Sequence, residues 1–135
     1  MTPTAWSLLG FVAWTLFLML GIVSTRSVMV LSGKRAANDF PADRPHDGPP
    51  LYQRLLRAHL NCVENLPLFA AVTLLAISIE VTGLTDGPAQ LYLGARILQS
   101  LTHLIGTSAL LVQVRFAFFL VQIGALLTMI VRLAN

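Results

Sequence analysis

From Ala5 to Thr25 the chain runs for 21 residues without a charged side chain. At about 1.5 Å per helical residue, a stretch of that size spans roughly 32 Å, enough to cross a hydrocarbon core of about 30 Å. Few folds tolerate such a segment. In lipid every backbone N–H and C=O must be satisfied within the chain, which leaves helices and closed barrels. A barrel needs strands of about ten residues with alternating hydrophobicity, and the long unalternating runs here predict helices instead. No Lys or Arg precedes the run and no small-x-small cleavage pattern follows it, so it reads as a span and not as a removable leader.

Three more apolar segments follow. The four are expected at about residues 5–31, 53–81, 89–111 and 115–133, in one domain covering 1–135. The stretch 32–52 is the one substantial connection. It carries Pro41, Pro45, Pro49 and Pro50 among Lys34, Arg35, Asp39, Asp43, Arg44 and Asp47. Proline does not continue a helix and these charges do not sit in lipid, so it is read as a solvent-side loop. Residues 82–88 read as a short turn. The expected fold is all-α, an integral membrane four-helix bundle with up-down connections. Composition excludes the alternatives: 56% of residues are hydrophobic and 11% charged, against about 45–50% and about 25% in an ordinary soluble domain. A soluble domain, a disordered chain and a large multi-domain enzyme are all ruled out.

The net charge of +3 follows topology. Arg26, Lys34, Arg35, Arg44, Arg54 and Arg57 flank the first connection, and Arg115 lies at the third, on the same side. Near the second there are only Glu80 and Asp86. The Lys/Arg bias therefore predicts the first and third connections in the cytoplasm and both termini outside, in a cell inner membrane. Arg132, near the C-terminus, mildly opposes this. No basic groove interleaved with aromatics suggests a nucleic-acid partner. Cys62 is the only cysteine, and no CxxC, HExxH or Cys/His spacing suggests a metal.

Polar residues inside the apolar segments carry the functional argument, because ionisable groups in a membrane are costly. Arg57, Asn61 and Glu64 fall at i, i+4 and i+7 on one helix face. Opposite charges two turns apart, bridged by an amide, suit either self-neutralisation or a zwitterionic ligand. In the third segment Arg96, Gln99 and His103 repeat the pattern, with Ser100 at the edge. The blander reading is interhelical glue, worth about 0.6 kcal/mol per contact; burying three charges for that return favours the functional one. Cys62 reads as a packing residue and not a nucleophile, Pro67 as a kink that frees the Val63 carbonyl, and Phe116, Phe118 and Phe119 as lipid or helix contacts. His59 lies off the stripe, and His46 reads as a solvated loop residue.

The segment Arg57-Ala58-His59-Leu60-Asn61-Cys62-Val63-Glu64-Asn65-Leu66-Pro67 resembles the second-helix signature RAxxNxxExxP of the MAPEG family, the membrane-associated proteins of eicosanoid and glutathione metabolism, in a bacterial-type form. Chain length, four segments and the basic first loop resemble the family too. The resemblance implies a homotrimer that binds glutathione as cosubstrate in clefts between subunits and transfers it to lipophilic small molecules. It implies that Arg57, Asn61, Glu64, Arg96 and Gln99 contact glutathione, with Lys34 or Arg35 as a further basic group. Arg115 then resembles the arginine that stabilises the thiolate. The ligand chemistry agrees: arginines suit the two carboxylates of glutathione, Glu64 suits its ammonium, and a guanidinium stabilises a thiolate. One departure stands out. Where many family enzymes carry a His and then a Tyr on the third helix, this chain has Gln99 and His103, leaving His103 to act as hydrogen-bond donor or proton carrier.

The leading functional reading is thus a glutathione-dependent membrane transferase or peroxidase acting on lipophilic electrophiles. Two alternatives stand beside it. One is a non-catalytic membrane protein of the same fold that binds a ligand. The other is a small four-helix exporter, although exporters of that size carry their essential acid in the first helix, where this chain has none.

Overall fold

A computed structural model describes residues 1–40 and 48–135. The loop readings on Pro41, Asp43, Arg44, Pro45, His46 and Asp47 lie outside the described residues. The described residues form four α-helices: α1 (Pro3–Leu31), α2 (Pro50–Ser78), α3 (Asp86–Ile105) and α4 (Ala109–Ala134). A single 3-10 turn, Thr82–Leu84, sits between α2 and α3. The described residues contain no strand. The protein is an all-α integral membrane bundle. Helices α1, α2 and α4 are each long and apolar enough to cross a membrane. Helix α3, with 20 residues, matches the roughly 30 Å of a hydrocarbon core in length, but its inward polar stripe lowers its hydropathy.

Local chemistry sets the helix ends. Thr2 caps α1, its hydroxyl accepting from the Ala5 N–H at 3.3 Å, and Pro3 occupies the first turn, where a missing N–H costs nothing. The helix stops at Gly33, whose φ of 70° is easy only for glycine. The Lys34 N–H then reaches the Met29 carbonyl at 3.0 Å and the Gly33 N–H reaches Val30 at 3.0 Å, a Schellman closure. Helix α2 ends the same way, with Val81 N–H on Ala76 O at 3.0 Å and Glu80 N–H on Ile77 O at 3.2 Å. There the left-handed position holds Glu80, at φ 59°.

Several helix boundaries depart from the sequence reading. Helix α2 begins at Pro50, not near 53, because proline is tolerated at a first position and stops a helix only from within. Helix α3 begins at Asp86, the Gly87–Pro88 pair lying in its first turn. The third connection is Gly106–Ser108, so α3 ends at Ile105, not near 111, and α4 starts at Ala109, six residues before Arg115. Apolar residues 109–111 carry no mark of a boundary; Ser108 does, its hydroxyl accepting from the Leu111 N–H at 3.4 Å. Pro67 lies within α2, which runs on through it.

Helix α3 is central: it packs against α1, α2 and α4, while α2 and α4 meet only lightly. Three aromatic rings knit the middle of the bundle. Phe69 stacks on Tyr92 with centroids 4.4 Å apart, and Phe11 lies 5.7 Å from Phe69 and 6.0 Å from Tyr92. With Leu18, Cys62 and Met129 they form the buried core. At the far end, one Asp86 carboxylate oxygen accepts from the Thr4 N–H at 2.9 Å and the Thr4 hydroxyl at 2.7 Å, fastening the start of α1 to the start of α3. The outward faces are mostly apolar, from Trp6 and Phe17 on α1 to Leu127 and Val131 on α4. That is the expected surface where the solvent is hydrocarbon.

Candidate functional site

Because α2 and α4 barely touch, a groove opens between them with α3 as its floor. It holds about 570 Å³ and is lined by Asn61, Glu64 and Asn65 from α2, Gln99 and His103 from α3, and Val112, Arg115, Phe116 and Phe119 from α4. Five of the residues singled out from the sequence, Asn61, Glu64, Gln99, His103 and Arg115, therefore line one groove.

The two polar stripes meet behind this groove. Arg96 is fully buried, and its Nη1 donates to the Asn61 side-chain oxygen and to Gln99 Oε1 at 3.0 Å. Its guanidinium carbon lies 5.6 Å from the Phe11 ring centroid and 5.9 Å from that of Tyr92. Arg96 thus does not line the groove. It holds the two amides that do. The consequence for Asn61 is definite. Its oxygen accepts from Arg96 and from Asn65 Nδ2 at 3.2 Å, which turns its amide N–H₂ away from both. Gln99 is spent on the protein: its oxygen accepts from Arg96 and from Gln122 Nε2 at 3.0 Å, and its nitrogen donates to the Arg115 carbonyl at 3.1 Å.

Arg115 sits in the second turn of α4 and reaches back to the end of α3. Its Nη2 donates to the Gly106 carbonyl at 3.2 Å and its Nη1 lies 3.1 Å from His103 Nδ1. An arginine only donates, so His103 Nδ1 is the acceptor and the proton of the neutral ring is on Nε2. Among the described residues, the His103 Nε2–H accordingly has no acceptor. No carboxylate pairs with Arg96 or Arg115 among the described residues. In addition, Arg96 Nε and Nη2 and Gln122 Oε1 are buried without a partner among those residues. The wall is therefore electropositive, with Glu64 as its only carboxylate among the described residues.

Other expectations fall elsewhere. Arg57 is exposed, two turns from Glu64 toward the basic end, and no ion pair joins the two among the described residues. Arg35 lies past α1, 3.4 Å from Asp39 and over the Phe40 ring, away from the groove. Lys34 is exposed beside it. Cys62 is buried, its sulfur 3.5 Å from the Ser100 hydroxyl, as a packing residue would be. His59 is half-buried, its Nδ1 without a partner among the described residues. Phe116 and Phe119, which read from the sequence as lipid or helix contacts, both line the groove, because the bonds of Gln122 and Arg115 to α3 fix the rotation of α4. The sequence reading gives Gln122 no part in the polar network. The signal is present, since it is the one amide between Arg115 and Arg132 in an otherwise apolar helix.

The arrangement can do three things. It offers N–H donors and positive charge to an anion, it offers Glu64 to a cation, and it sets both beside an apolar wall of Val112, Phe116 and Phe119. A model of the MAPEG family matches residues 4–135 of this sequence. No curated protein matches it.

Proposed function

The chain belongs to the MAPEG family, and from that premise we propose that it is a glutathione-dependent membrane transferase or peroxidase working on lipophilic electrophiles. The observation that carries the reading is the groove itself, which Asn61, Glu64, His103 and Arg115 line together with the apolar Phe116 and Phe119. Glutathione carries two carboxylates, one ammonium and a thiol. Glu64 takes the ammonium, the Asn61 amide and the exposed Arg57 take carboxylate oxygens, and the thiol lies toward His103 and Arg115. Positive charge beside the sulfur favours the thiolate, and the thiol proton leaves through the open groove to water. The His103 Nε2–H then donates to the sulfur, from the third-helix position where many family enzymes carry a tyrosine. Electrophiles enter from the bilayer against Phe116 and Phe119. The sulfur forms its bond to the electrophilic centre while the leaving group departs into the groove.

In this reading Arg96 and Gln122 are positioning residues and Gln99 supports the wall. Arg35 or Lys34, remote from the groove of its own subunit, would reach glutathione only from a neighbouring one, in keeping with the homotrimer the family resemblance implies. No metal is invoked. The competing reading, ligand binding without turnover, draws on the third helix, where Gln99 and His103 stand in place of the family's His and Tyr and Gln99 is held by Arg96, Gln122 and the Arg115 carbonyl.

Isothermal titration of glutathione into detergent-solubilised protein tests the site. Saturable binding is expected, weakened roughly tenfold or more by Glu64→Gln and by Arg57→Ala, as loss of a charge-assisted hydrogen bond would do. Absence of binding in a folded sample overturns the proposal. Turnover of an aryl halide lost in His103→Phe, with binding retained, favours the enzyme; no turnover in wild type favours the binding protein.

A further inference from the structure

Arg26 is the only charged residue of α1, and it lies five residues, about 8 Å, before the helix end at Leu31. At that depth a guanidinium is costly unless it reaches an anion or water. Its Nε donates to the Tyr52 hydroxyl at 2.7 Å, and its carbon lies 5.1 Å from the Phe40 ring centroid and 5.9 Å from that of Tyr52. These contacts fix the side chain without cancelling its charge. No carboxylate pairs with Arg26, and neither terminal amine has a hydrogen-bond partner, among the described residues. Beside it lies a second cavity of about 520 Å³, lined by Arg26, Ser27, Val30, Leu31, Ala37 and Phe40. Ser27 and Leu31 continue a helical stripe through Leu16, Leu20 and Val23, all three exposed on the outer face of α1. A fixed cation and a hydroxyl thus head an apolar track that runs into the bilayer.

We propose that this cavity seats the phosphate headgroup of an anionic membrane lipid. The two free amines of Arg26 take phosphate oxygens in the forked geometry that guanidinium suits. Ser27 lies at the rim, and an acyl chain follows the same stripe past Val23 and Leu20 toward Leu16. The site is separate from the groove between α2 and α4 and does not depend on what that groove binds.

Native mass spectrometry tests it on protein released from bilayer discs holding equal phosphatidylglycerol and phosphatidylcholine. Preferential retention of phosphatidylglycerol is expected, lowered roughly fivefold or more by Arg26→Gln, the effect of losing a charge-assisted hydrogen bond. Lys34→Gln, which removes an exposed, solvent-screened cation at the same end, should change it by less than about twofold. Unchanged retention in Arg26→Gln, or equal loss in Lys34→Gln, overturns the site. Inorganic phosphate added to lipid-free protein is the second arm: binding there as tight as that of the lipid would reassign the cavity to a soluble anion. Should Arg26→Gln fail to fold, Arg26→Lys carries the test. It keeps a cation but loses the fork and the bond to Tyr52, so retention falls while helix content holds, and undiminished retention overturns the proposal.

Discussion

Arg96 shows how one residue can organise a site it does not enter. Its buried guanidinium fixes the oxygens of Asn61 and Gln99, and Gln122 closes the chain from α4. Replacing it by glutamine leaves two buried carbonyl oxygens short of a charged donor, at a cost of about 2–3 kcal/mol. Arg96→Gln is therefore expected to unfold at a lower temperature in detergent and also to bind glutathione more weakly, because Asn61 is free to turn. Unaltered stability would mean that the network is slack. Glu80 offers the opposite case. A side chain at φ 59° is disfavoured by about 1–2 kcal/mol, and glycine is not. Glu80→Gly should raise thermal stability by about 1 kcal/mol after the entropy cost of glycine is set against it, whereas Gly33→Ala at the matching position of α1 should lower it. The spacing of the second-helix signature was readable from the sequence; the left-handed turn at Glu80 was not, since nothing in Ile79-Glu80-Val81 marks a stop and the closing bonds come from Ala76 and Ile77 behind it.

Among the helices, the periodicity of α2 and α3 was legible because membrane helices advertise their few polar residues. The helix ends were harder. Prolines and charges served as boundary marks, yet Pro50 starts a helix and Arg115 lies inside one. The fastening of α1 to α3 was invisible, as it joins residues 82 apart in sequence: Thr4 and Asp86. Asp86 caps the N-terminus of α1 from another helix, where an anion also faces the positive end of the dipole. Asp86→Ala should cost about 1 kcal/mol of thermal stability, and faster hydrogen exchange confined to the first turn of α1 would locate the effect. Exchange unchanged at Thr4 and Ala5 would refute that account. Burial of Phe11, Phe69 and Tyr92 is different in kind. Lipid is as apolar as the core, so the hydrophobic gain is small and these helices are held by ring packing and by the polar contacts among them.

Across the molecule, the basic residues gather where α1 and α3 end and α2 and α4 begin, while Glu80 and Asp86 mark the other end. If that asymmetry sets orientation, reporters fused to either terminus should both be active outside the cytoplasm and inactive within it. Opposite behaviour at the two termini would contradict an even number of spans. Cross-linking in the membrane should give a mass three times 14.7 kDa if the subunits form the proposed trimer; a lone subunit would leave Arg35 and Lys34 without a groove to serve. Run length, charge frequency and residue spacing along one helix are local quantities, and they were enough to predict the solvent and the number of helices, while the residues of the second helix carried the resemblance to the family that the match over residues 4–135 shows. Which polar residues share a cavity is not local, and packing alone decided it. Whether Arg96 faces a ligand or braces those that do, and whether Phe116 and Phe119 meet lipid or line the groove, depends on how α4 is rotated against α3. Lipid on the outside and protein on the inside are almost equally apolar, so no pattern of hydrophobicity could fix that rotation; the bonds that Gln122 and Arg115 make to α3 do.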